Sequence, residues 1–177
     1  PACLRLDQQQ ALLDWLHWGG QLILSGPDTL DTLRGGFLAD YLPATASGVR
    51  KLAATDFQEL NAWSNRNKSV PPLVPVGEWT GIQLQPHREA RYMAGSGKLL
   101  LERRVGRGRI VVSAFRLSGR SLTTWPGWDE VFNAFVLRRP RRRFEESRDL
   151  ELLVNWADAP GRRLDAGRIS KLRYFSR

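Results

Sequence analysis

Residues 8–27 read QQQALLDWLHWGGQLILSGP, and this stretch decides which fold the sequence predicts. Gly19 and Gly20 end a helical pattern, because glycine enters the left-handed backbone region without a Cβ clash. Leu22–Leu24 then form an unbroken apolar run, which is typical of a strand covered by helices on both faces. The chain leaves this strand sharply at Ser25–Pro27. Before the glycines, one apolar face follows helical spacing: Leu12, Leu13, Trp15 and Leu16. The stretch therefore predicts one α/β unit.

Four helices are predicted in total, each with a recognisable start. Asp7 with Gln10 can form a capping box on the first helix. Asp28 can cap the second, and Thr55-Asp56 starts the third. The fourth helix has the most regular apolar stripe, with spacing i, i+3, i+4, i+7 and i+8. The stripe consists of Trp128, Val131, Phe132, Phe135 and Val136.

The middle of the chain has the strongest β-strand character. Glycine-containing turns separate short apolar segments there, and the turn at Gly106–Gly108 predicts a β-hairpin. The predicted strands are Leu73–Val76, Gly81–Leu84, Tyr92-Met93, Lys98–Val105 and Arg109–Phe115. Residues 44–54 are compatible with either a loop or an edge strand. Leu150–Trp156 and Ile169–Phe175 are further candidate strands.

The composition is that of one ordinary domain with a sizeable core. The chain has 177 residues, of which 42% are apolar and seven are tryptophans. No apolar run approaches the roughly 18 residues of a membrane-spanning helix. Cys3 is the only cysteine, so no internal disulfide can form, and one cysteine with two histidines cannot build a zinc cluster of the usual type. No cofactor is predicted. Because the chain starts at Pro1 and opens almost directly on a helix, we expect a piece of a longer protein.

Basic residues are concentrated near the carboxyl terminus. The net charge is +9, and Arg138–Arg177 contains 12 basic and 6 acidic residues, which accounts for +6 of it. The cluster Arg138–Arg143 could bind nucleic acid or an anionic lipid surface by releasing counterions. Two glutamates follow at once, however, and cations also suit the negative end of a helix, so a helix end running into a solvated linker is the simpler interpretation. We divide the chain into an α/β domain, residues 1–139, and a basic carboxyl-terminal extension, residues 140–177.

Two segments carry a family resemblance. Residues 14–26 read DWLHWGGQLILSG, and residues 106–139 read GRGRIVVSAFRLSGRSLTTWPGWDEVFNAFVLRR. The first resembles the helix, Gly-Gly, apolar strand and elbow of the class I glutamine amidotransferase-like superfamily. The second resembles the closing strand, loop, tryptophan and helix of such domains in large bacterial envelope proteins. The resemblance implies a flavodoxin-like three-layer α/β sandwich with a mainly parallel sheet plus an added β-hairpin, lacking its first strands upstream. It also implies a location in the bacterial cell envelope.

The residues that carry glutaminase chemistry in that superfamily are not found. The working enzymes have a nucleophilic cysteine in a Gly-x-Cys-x-Gly elbow, and Leu24–Pro27 at the matching place contains no cysteine. They also have a His-x-Glu pair late in the domain, whereas His87-Arg88-Glu89 lies in mid-chain after Pro86. We therefore favour a protein that is not an enzyme and that has a binding or scaffolding role within a larger bacterial protein.

Ser25, His87 and Glu89 are the candidates for catalysis, should the protein be a hydrolase or transferase. Ser25 occupies the elbow position, and a serine is nucleophilic at neutral pH only beside an oriented base. His87 is the one realistic base, and His87 with Glu89 could perform acid–base chemistry because histidine titrates near neutral pH. The simpler interpretations are that Ser25 satisfies backbone groups at the strand exit and that His87 lies in a solvated loop.

For a binding role, the loops Ser25–Asp28 and Leu117–Trp125 are the predicted contact surface, because ligands of open α/β sheets collect at the carboxyl ends of strands. The tryptophans at 79 and 125 are either exposed anchors for a partner or ordinary packing residues. Gly106–Arg109 is either a phosphate site or a hairpin turn. The predicted binding residues are Ser25, Asp28, Trp79, Trp125, Arg141, Arg142 and Arg143. The expected partner is a protein or a small ligand; nucleic acid is less favoured, and any membrane attachment is left to other parts of the full protein.

Overall fold

The structure is a computed structural model in which the chain forms two compact units, Pro1–Trp128 and Asp129–Arg177. The described parts are residues 4–26, 28–65 and 70–139, with the backbone of Arg142–Glu146 and Leu152–Trp156. The predicted strand at Ile169–Phe175 lies outside them. The first unit contains the stretch that decides the fold, and each unit is described by itself.

The first unit alternates short helices with strands. Its helices are α1 (Leu6–His17), α2 (Thr29–Leu33), α3 (Gln58–Ser64) and α4 (Arg120–Thr123), with 3₁₀ turns at Ala39–Tyr41 and Ala54–Phe57. Its strands are β1 (Gln21–Leu24), β2 (Ala44–Leu52), β3 (Trp79–Pro86), β4 (Ala90–Tyr92), β5 (Leu100–Val105) and β6 (Gly108–Ser113).

The larger sheet of this unit has four strands in the order β1-β6-β5-β4. Only β1 and β6 run parallel, with Leu22 opposite Ile110, whereas β6 with β5 and β5 with β4 are antiparallel. The predicted flavodoxin-like sandwich with a mainly parallel sheet is therefore wrong, and the fold is a mixed α/β fold. Short connections explain the difference, because parallel neighbours need a long crossover. The tight turn at Gly106 joins β5 to β6, and residues 93–99 are all that join β4 to β5.

Strand β1 also differs from the prediction, since it stands at one end of this four-strand order. Leu22 and Ile23 are half-buried, and only Leu24 is buried. In the four-stranded sheet, the strand whose residues are all buried is β6. An unbroken apolar run thus marks a strand here, but it does not distinguish a central strand from an edge strand whose faces are partly covered.

Helix α1 and its end follow the sequence closely. Gly19 has a φ of +118°, which is the left-handed conformation expected of the glycine that ends a helix. The start differs by two residues, because the helix begins at Leu6 with Arg5 as its cap, whereas Asp7 was the predicted cap. The amide of Arg5 donates to Gln8 Oε1 at 3.0 Å, which is only the glutamine half of a capping box, because an arginine side chain has no acceptor. The box predicted for Asp7 and Gln10 is therefore not formed.

The end of α1 lies directly on the start of β6. A Cβ atom built on Gly108 would lie 2.1 Å from the carbonyl oxygen of Leu16 and 2.3 Å from that of Gly20. Gly106 has a φ of +59°, and a Cβ there would lie 2.8 Å from the His17 carbonyl oxygen. The hairpin turn therefore needs glycine at both places, for the backbone contact and for the turn itself.

A second, two-stranded antiparallel sheet pairs β2 with β3. Residues 44–54 thus contain a strand, with a register shift between Ala46 and Val49. The Ile82 amide donates to the Ala114 carbonyl at 2.7 Å, which attaches β3 to the chain just after β6. The strand predicted at Leu73–Val76 is wrong: this segment is a loop, and the side chain of Asn61 bonds both the amide and the carbonyl of Leu73.

The core of the first unit lies between α1, the 3₁₀ turns and the central strands β5 and β6. Burying a large aliphatic or aromatic side chain stabilises a fold by about 1.5–3 kcal/mol. The largest fully buried side chains in this unit include Leu16, Leu30, Phe57, Leu60, Leu99, Leu100, Leu101, Ile110, Val111, Val112 and Leu122.

The second unit begins just after Trp128, within a helical segment. Helix α5 (Trp128–Glu130) continues as a π-helical segment, Val131–Val136, where the Leu137 amide donates to the Phe132 carbonyl five residues earlier. The predicted fourth helix is therefore present but is wound more loosely than an α-helix. Strands β7 (Arg142–Glu146) and β8 (Leu152–Trp156) pair antiparallel.

Candidate functional site

The carboxyl ends of β1 and β6 meet, because these two strands are parallel neighbours. The loops that follow them are joined by a hydrogen bond in which the Leu117 amide donates to Ser25 Oγ at 2.7 Å. We call residues 25–28 and 117–125 the exit surface; Pro27 lies outside the described residues. Both loops were predicted as contact segments, and the structure brings them together.

Ser25 makes hydrogen bonds that hold the strand exit in place. Its hydroxyl oxygen accepts the Leu117 amide, and its backbone carbonyl accepts the Thr29 hydroxyl at 2.7 Å. This arrangement is the simpler of the two interpretations of Ser25 in the sequence. Among the described residues no hydrogen bond joins Ser25 to His87, so the pairing that the hydrolase alternative requires is not formed there.

His87 and Glu89 belong to a different contact. The Glu89 amide donates to His87 Nδ1 at 3.2 Å, and the Glu89 carboxylate accepts the Arg103 guanidinium at 2.7 Å. The hydrogen bond and the positive charge of Arg103 hold the pKa of Glu89 below its ordinary value. Arg103 also donates to the carbonyls of Asp40 and Leu42. The carboxylate therefore orients Arg103 against the Ala39–Tyr41 turn.

The two candidate tryptophans have different surroundings. Trp79 is half-buried and lines a hollow of about 170 Å³ beside the exit surface, with Phe115, Arg116 and Ser121. Its ring lies 6.0 Å from that of Phe115. Trp125 is 7% exposed, and its indole N–H donates to the Pro71 carbonyl at 2.7 Å. Trp125 is thus a packing residue, and its interpretation as an exposed anchor is wrong because its ring is covered.

The Gly106–Arg109 segment is a hairpin turn. The Arg107 amide donates to the His17 carbonyl at 2.9 Å, and the Arg109 amide donates to the Gly20 carbonyl at 3.0 Å. These two amides are used by the contact with α1, so they do not form the ring of free N–H groups that a phosphate site needs. The Arg107 guanidinium instead lies over the Trp18 ring, 5.9 Å from its centroid.

The arginine cluster lies at the end of the described part of the chain. Arg141 lies outside the described residues, and Arg142 and Arg143 are described only as backbone of β7. The predictions made for these three residues therefore remain predictions. Asp28, the other predicted binding residue, is exposed on the exit surface just before α2.

A larger cleft was missed by sequence reasoning. It has a volume of about 630 Å³ and lies between β3 and the connection from β4 to β5; we call it the β3 cleft. Its lining includes Arg50, Asp56, Glu59, Leu84, Tyr92 and Lys98. These residues come from four separate parts of the chain, so no local motif signals the cleft.

Two of its titratable groups have shifted pKa values. Burial alone would raise the pKa of Asp56, but hydrogen bonds from the Ala53 amide at 2.8 Å and the Arg50 guanidinium at 2.8 Å outweigh it, and the pKa is lowered. Burial raises the pKa of Tyr92, whose hydroxyl donates to the Leu84 carbonyl at 3.0 Å. Tyr92 is therefore a neutral hydrogen-bond donor at physiological pH.

The described ranges contain neither a metal-binding cluster of acidic, histidine or cysteine side chains nor a membrane-spanning helix. No group of three or more His, Cys, Asp or Glu side chains there could hold a metal ion. Likewise, no helix in the described part of the chain is long and apolar enough to cross a membrane.

Comparison with known proteins gives structural neighbours only. No protein family model matches the chain, and no curated protein matches it. Two cytoplasmic proteins from Salmonella typhimurium are similar in structure, with TM-scores of 0.46 and 0.45 and sequence identities of 13% and 14%. The matches cover 71% and 69% of this chain and 57% and 56% of those proteins. An exo-beta-1,4-mannosidase from Opitutaceae bacterium strain TAV5 has a TM-score of 0.38 at 18% identity, covering 71% of this chain and 21% of the mannosidase. The chain thus spans little more than half of the first two proteins.

Proposed function

We propose that this chain is a non-catalytic binding or scaffolding module of a larger bacterial protein, and that a protein partner contacts its exit surface. One observation carries the proposal: the hydrogen bond from the Leu117 amide to Ser25 Oγ joins the two loops at the carboxyl ends of β1 and β6. Loops at the carboxyl ends of parallel strands are where ligands of α/β proteins collect. A kinship with amidotransferase-like domains is part of the proposal and rests on the sequence motifs alone.

The environment of Ser25 supports a role without catalysis. A nucleophilic serine donates its proton to an oriented base, and among the described residues no His, Asp or Glu side chain accepts a hydrogen bond from Ser25 Oγ, which accepts the Leu117 amide at 2.7 Å. Leu24–Pro27 also lacks the cysteine that the resembled enzymes use. Both observations favour a structural task for this elbow.

The side chains beside the exit surface suit a protein partner with apolar and acidic groups. Trp79 and Phe115 provide aromatic surface in the hollow, and exposed Arg116 lines it together with Glu78, whose carboxylate pairs with Lys51. Aromatic and arginine side chains dominate the energetics of many protein interfaces. A partner that inserts an apolar side chain into the hollow and places a carboxylate near Arg116 would use both features.

Site-specific photo-crosslinking tests the binding surface. A benzophenone amino acid is placed at Ser121, which lines the hollow, or at Ala62, an exposed residue of α3. We expect a defined crosslinked protein in an extract of the source organism from the Ser121 position only. Arg116→Glu should reduce its yield, whereas Arg104→Glu, at an exposed site of β5, should not. Equal crosslinking from both positions, or none from Ser121, would contradict the proposed surface.

Chemical labelling tests the absence of catalysis separately. We expect that a fluorophosphonate probe leaves Ser25 unlabelled and that the protein releases no ammonia from L-glutamine. Covalent labelling of Ser25 would replace the proposal with the hydrolase alternative.

A further inference from the structure

A further cavity, of about 460 Å³, lies beside the Ala39–Tyr41 turn. Its walls come from the end of α2 and this turn, from the start of β2, and from the end of β3 with the turn that follows it. We call it the arginine cavity. Small-molecule sites have volumes of about 300–1,000 Å³, so this cavity is large enough for such a ligand.

The ionisable side chains that line the arginine cavity are all basic: Arg34, His87 and Arg88. Both arginines are exposed, and among the described residues neither guanidinium has a hydrogen bond or an ion pair. His87 Nδ1 accepts the Glu89 amide at 3.2 Å and lies 3.9 Å from the Glu89 carboxylate. The other ring nitrogen is therefore the one that carries hydrogen in the neutral imidazole, and it adds a donor.

Acidic residues close to this cavity in the chain do not line it. The Glu89 carboxylate accepts the Arg103 guanidinium at 2.7 Å, so its charge is already balanced. Asp31 and Asp40 are exposed, and in the described part of the chain neither forms an ion pair with Arg34. The cavity therefore has a surplus of positive charge that an anionic ligand can neutralise.

Arg103 connects two walls of the arginine cavity. Its guanidinium binds the carboxylate of Glu89, the residue after Arg88, and it also donates to the carbonyls of Asp40 and Leu42. This side chain is only 12% exposed, and it links the turn after β3 to the segment before β2. Because the walls are fixed in this way, a ligand need not order them, which lowers the cost of binding.

We propose that the arginine cavity binds a small organic phosphate monoester. Arg34 and Arg88 hold the phosphate, and the organic part packs on the apolar lining, Leu42, Ala44 and Pro86. A phosphate monoester has three acceptor oxygens and a charge of about −1.5 to −2 at pH 7, so it can accept from two guanidinium groups at once. A carboxylate has one charge and two oxygens, so it satisfies only one such group fully.

The site is separate from the exit surface, because none of its lining residues belongs to residues 25–28 or 117–125. The proposal does not depend on the function proposed for that surface.

Calorimetric titration of the full chain with phenyl phosphate, benzoate, phenol and inorganic phosphate tests the ligand class. We expect phenyl phosphate to bind, phenol not to bind, and benzoate to bind at least about tenfold more weakly than phenyl phosphate. Inorganic phosphate should compete with phenyl phosphate but bind less tightly, since it has no apolar part. The affinity should fall as salt is added.

Matched variants locate the binding. Arg34→Gln and Arg88→Gln should each weaken phenyl phosphate binding by at least about tenfold. Arg104→Gln is the control, because Arg104 is an exposed arginine of β5 outside the cavity, and it should leave the affinity unchanged. In a nuclear magnetic resonance titration, the amide signal of Thr45 in the lining should shift, whereas that of Ser121 at the exit surface should not.

Several outcomes would overturn the proposal. It is wrong if phenyl phosphate does not bind, or if benzoate or inorganic phosphate binds equally tightly. It is also wrong if Arg104→Gln weakens binding as much as Arg34→Gln and Arg88→Gln, because the attraction would then come from the overall positive charge. Since Arg34 and Arg88 are exposed, the variants should keep the melting temperature of the unmodified protein, which separates lost binding from lost folding.

Discussion

The Glu102 carboxylate lies 2.8 Å from the Arg109 guanidinium, and the two side chains are 3% and 7% exposed. Arg91 makes a second contact with the same carboxylate at 3.0 Å. Residue 102 stands opposite Val111 in the β5–β6 ladder, which puts its side chain on the same face as that of Arg109, two residues away. A buried charge pair of this kind is strongly destabilising when one member is removed alone, because the other charge stays buried.

Glu102→Leu should therefore lower the free energy of unfolding by about 3–5 kcal/mol. The double variant Glu102→Leu/Arg109→Met should recover a large part of the loss, because no charge remains buried. Urea denaturation of the first unit, followed by tryptophan fluorescence, measures both. Glu78→Leu is the control, since the Lys51–Glu78 pair is 77% and 76% exposed and should contribute less than about 1 kcal/mol. A single-variant effect no larger than this control would show that the pair does not hold the sheet.

Gly108→Ala should destabilise the contact between α1 and β6. The new Cβ would lie 2.1 Å from the Leu16 carbonyl oxygen, so the helix must move away from the strand. We expect a loss of at least about 1–3 kcal/mol from this overpacking. Gly35→Ala is the matched control, because nothing lies within 4 Å of a Cβ at that place. It should be neutral or stabilise by about 0.4–1 kcal/mol. Thermal unfolding measures both variants, and an equal change of melting temperature in the two would contradict the close contact at Gly108.

Local signals in the sequence predicted local structure well. The apolar spacing before Gly19 gave α1, the run Leu22–Leu24 gave β1, and Gly106–Gly108 gave the hairpin turn. Each of these depends on neighbours within a few residues. The order of strands depends instead on which segments meet in space. The mainly parallel sheet that the family resemblance implies, and that the apolar run of β1 also favours, is wrong for this reason. The pairing of β1 with β6, some 90 residues away in the chain, cannot be read from either segment (Gln21 pairs with Arg109).

The exit surface and the β3 cleft also differ in whether local sequence signals could predict where they lie. The exit surface could be predicted, because each of its loops directly follows an apolar strand. The β3 cleft could not, since Arg50, Leu84 and Lys98 are brought together only by the pairing of β2 with β3 and by the connection before β5. The Glu102–Arg109 pair is an intermediate case. Once the turn pairs Val105 with Gly108, the register places the two charges on one face, so hairpin geometry could have revealed it.

Asp56→Ala should make stability depend less on acid pH. The folded-state pKa of Asp56 lies below the ordinary 3.8, so the folded protein holds the carboxylate in its charged form. This contribution is fully present above pH 3.8 and is lost as the pH falls through the lower folded-state value. At pH 7 the variant should be less stable by about 1 kcal/mol, because the Ala53 amide loses its acceptor. The difference in the free energy of unfolding between the variant and the unmodified protein should disappear in strong acid. Denaturation at a series of pH values measures it, and a gap that widens as the pH falls would contradict the assigned shift.

Ser25→Ala should weaken the link between the two loops of the exit surface. The variant leaves the amide of Leu117, a residue that is 6% exposed, without its acceptor, and an unsatisfied buried donor costs about 1–3 kcal/mol. Hydrogen exchange at the Leu117 amide should speed up, while exchange at the Leu101 amide in the sheet should not change. Ser121→Ala is the control, because Ser121 is exposed and has no side-chain hydrogen bond in the described part of the chain; it should change stability by less than about 0.5 kcal/mol. An exchange rate at the Leu117 amide that Ser25→Ala leaves unchanged would contradict this link between the two loops.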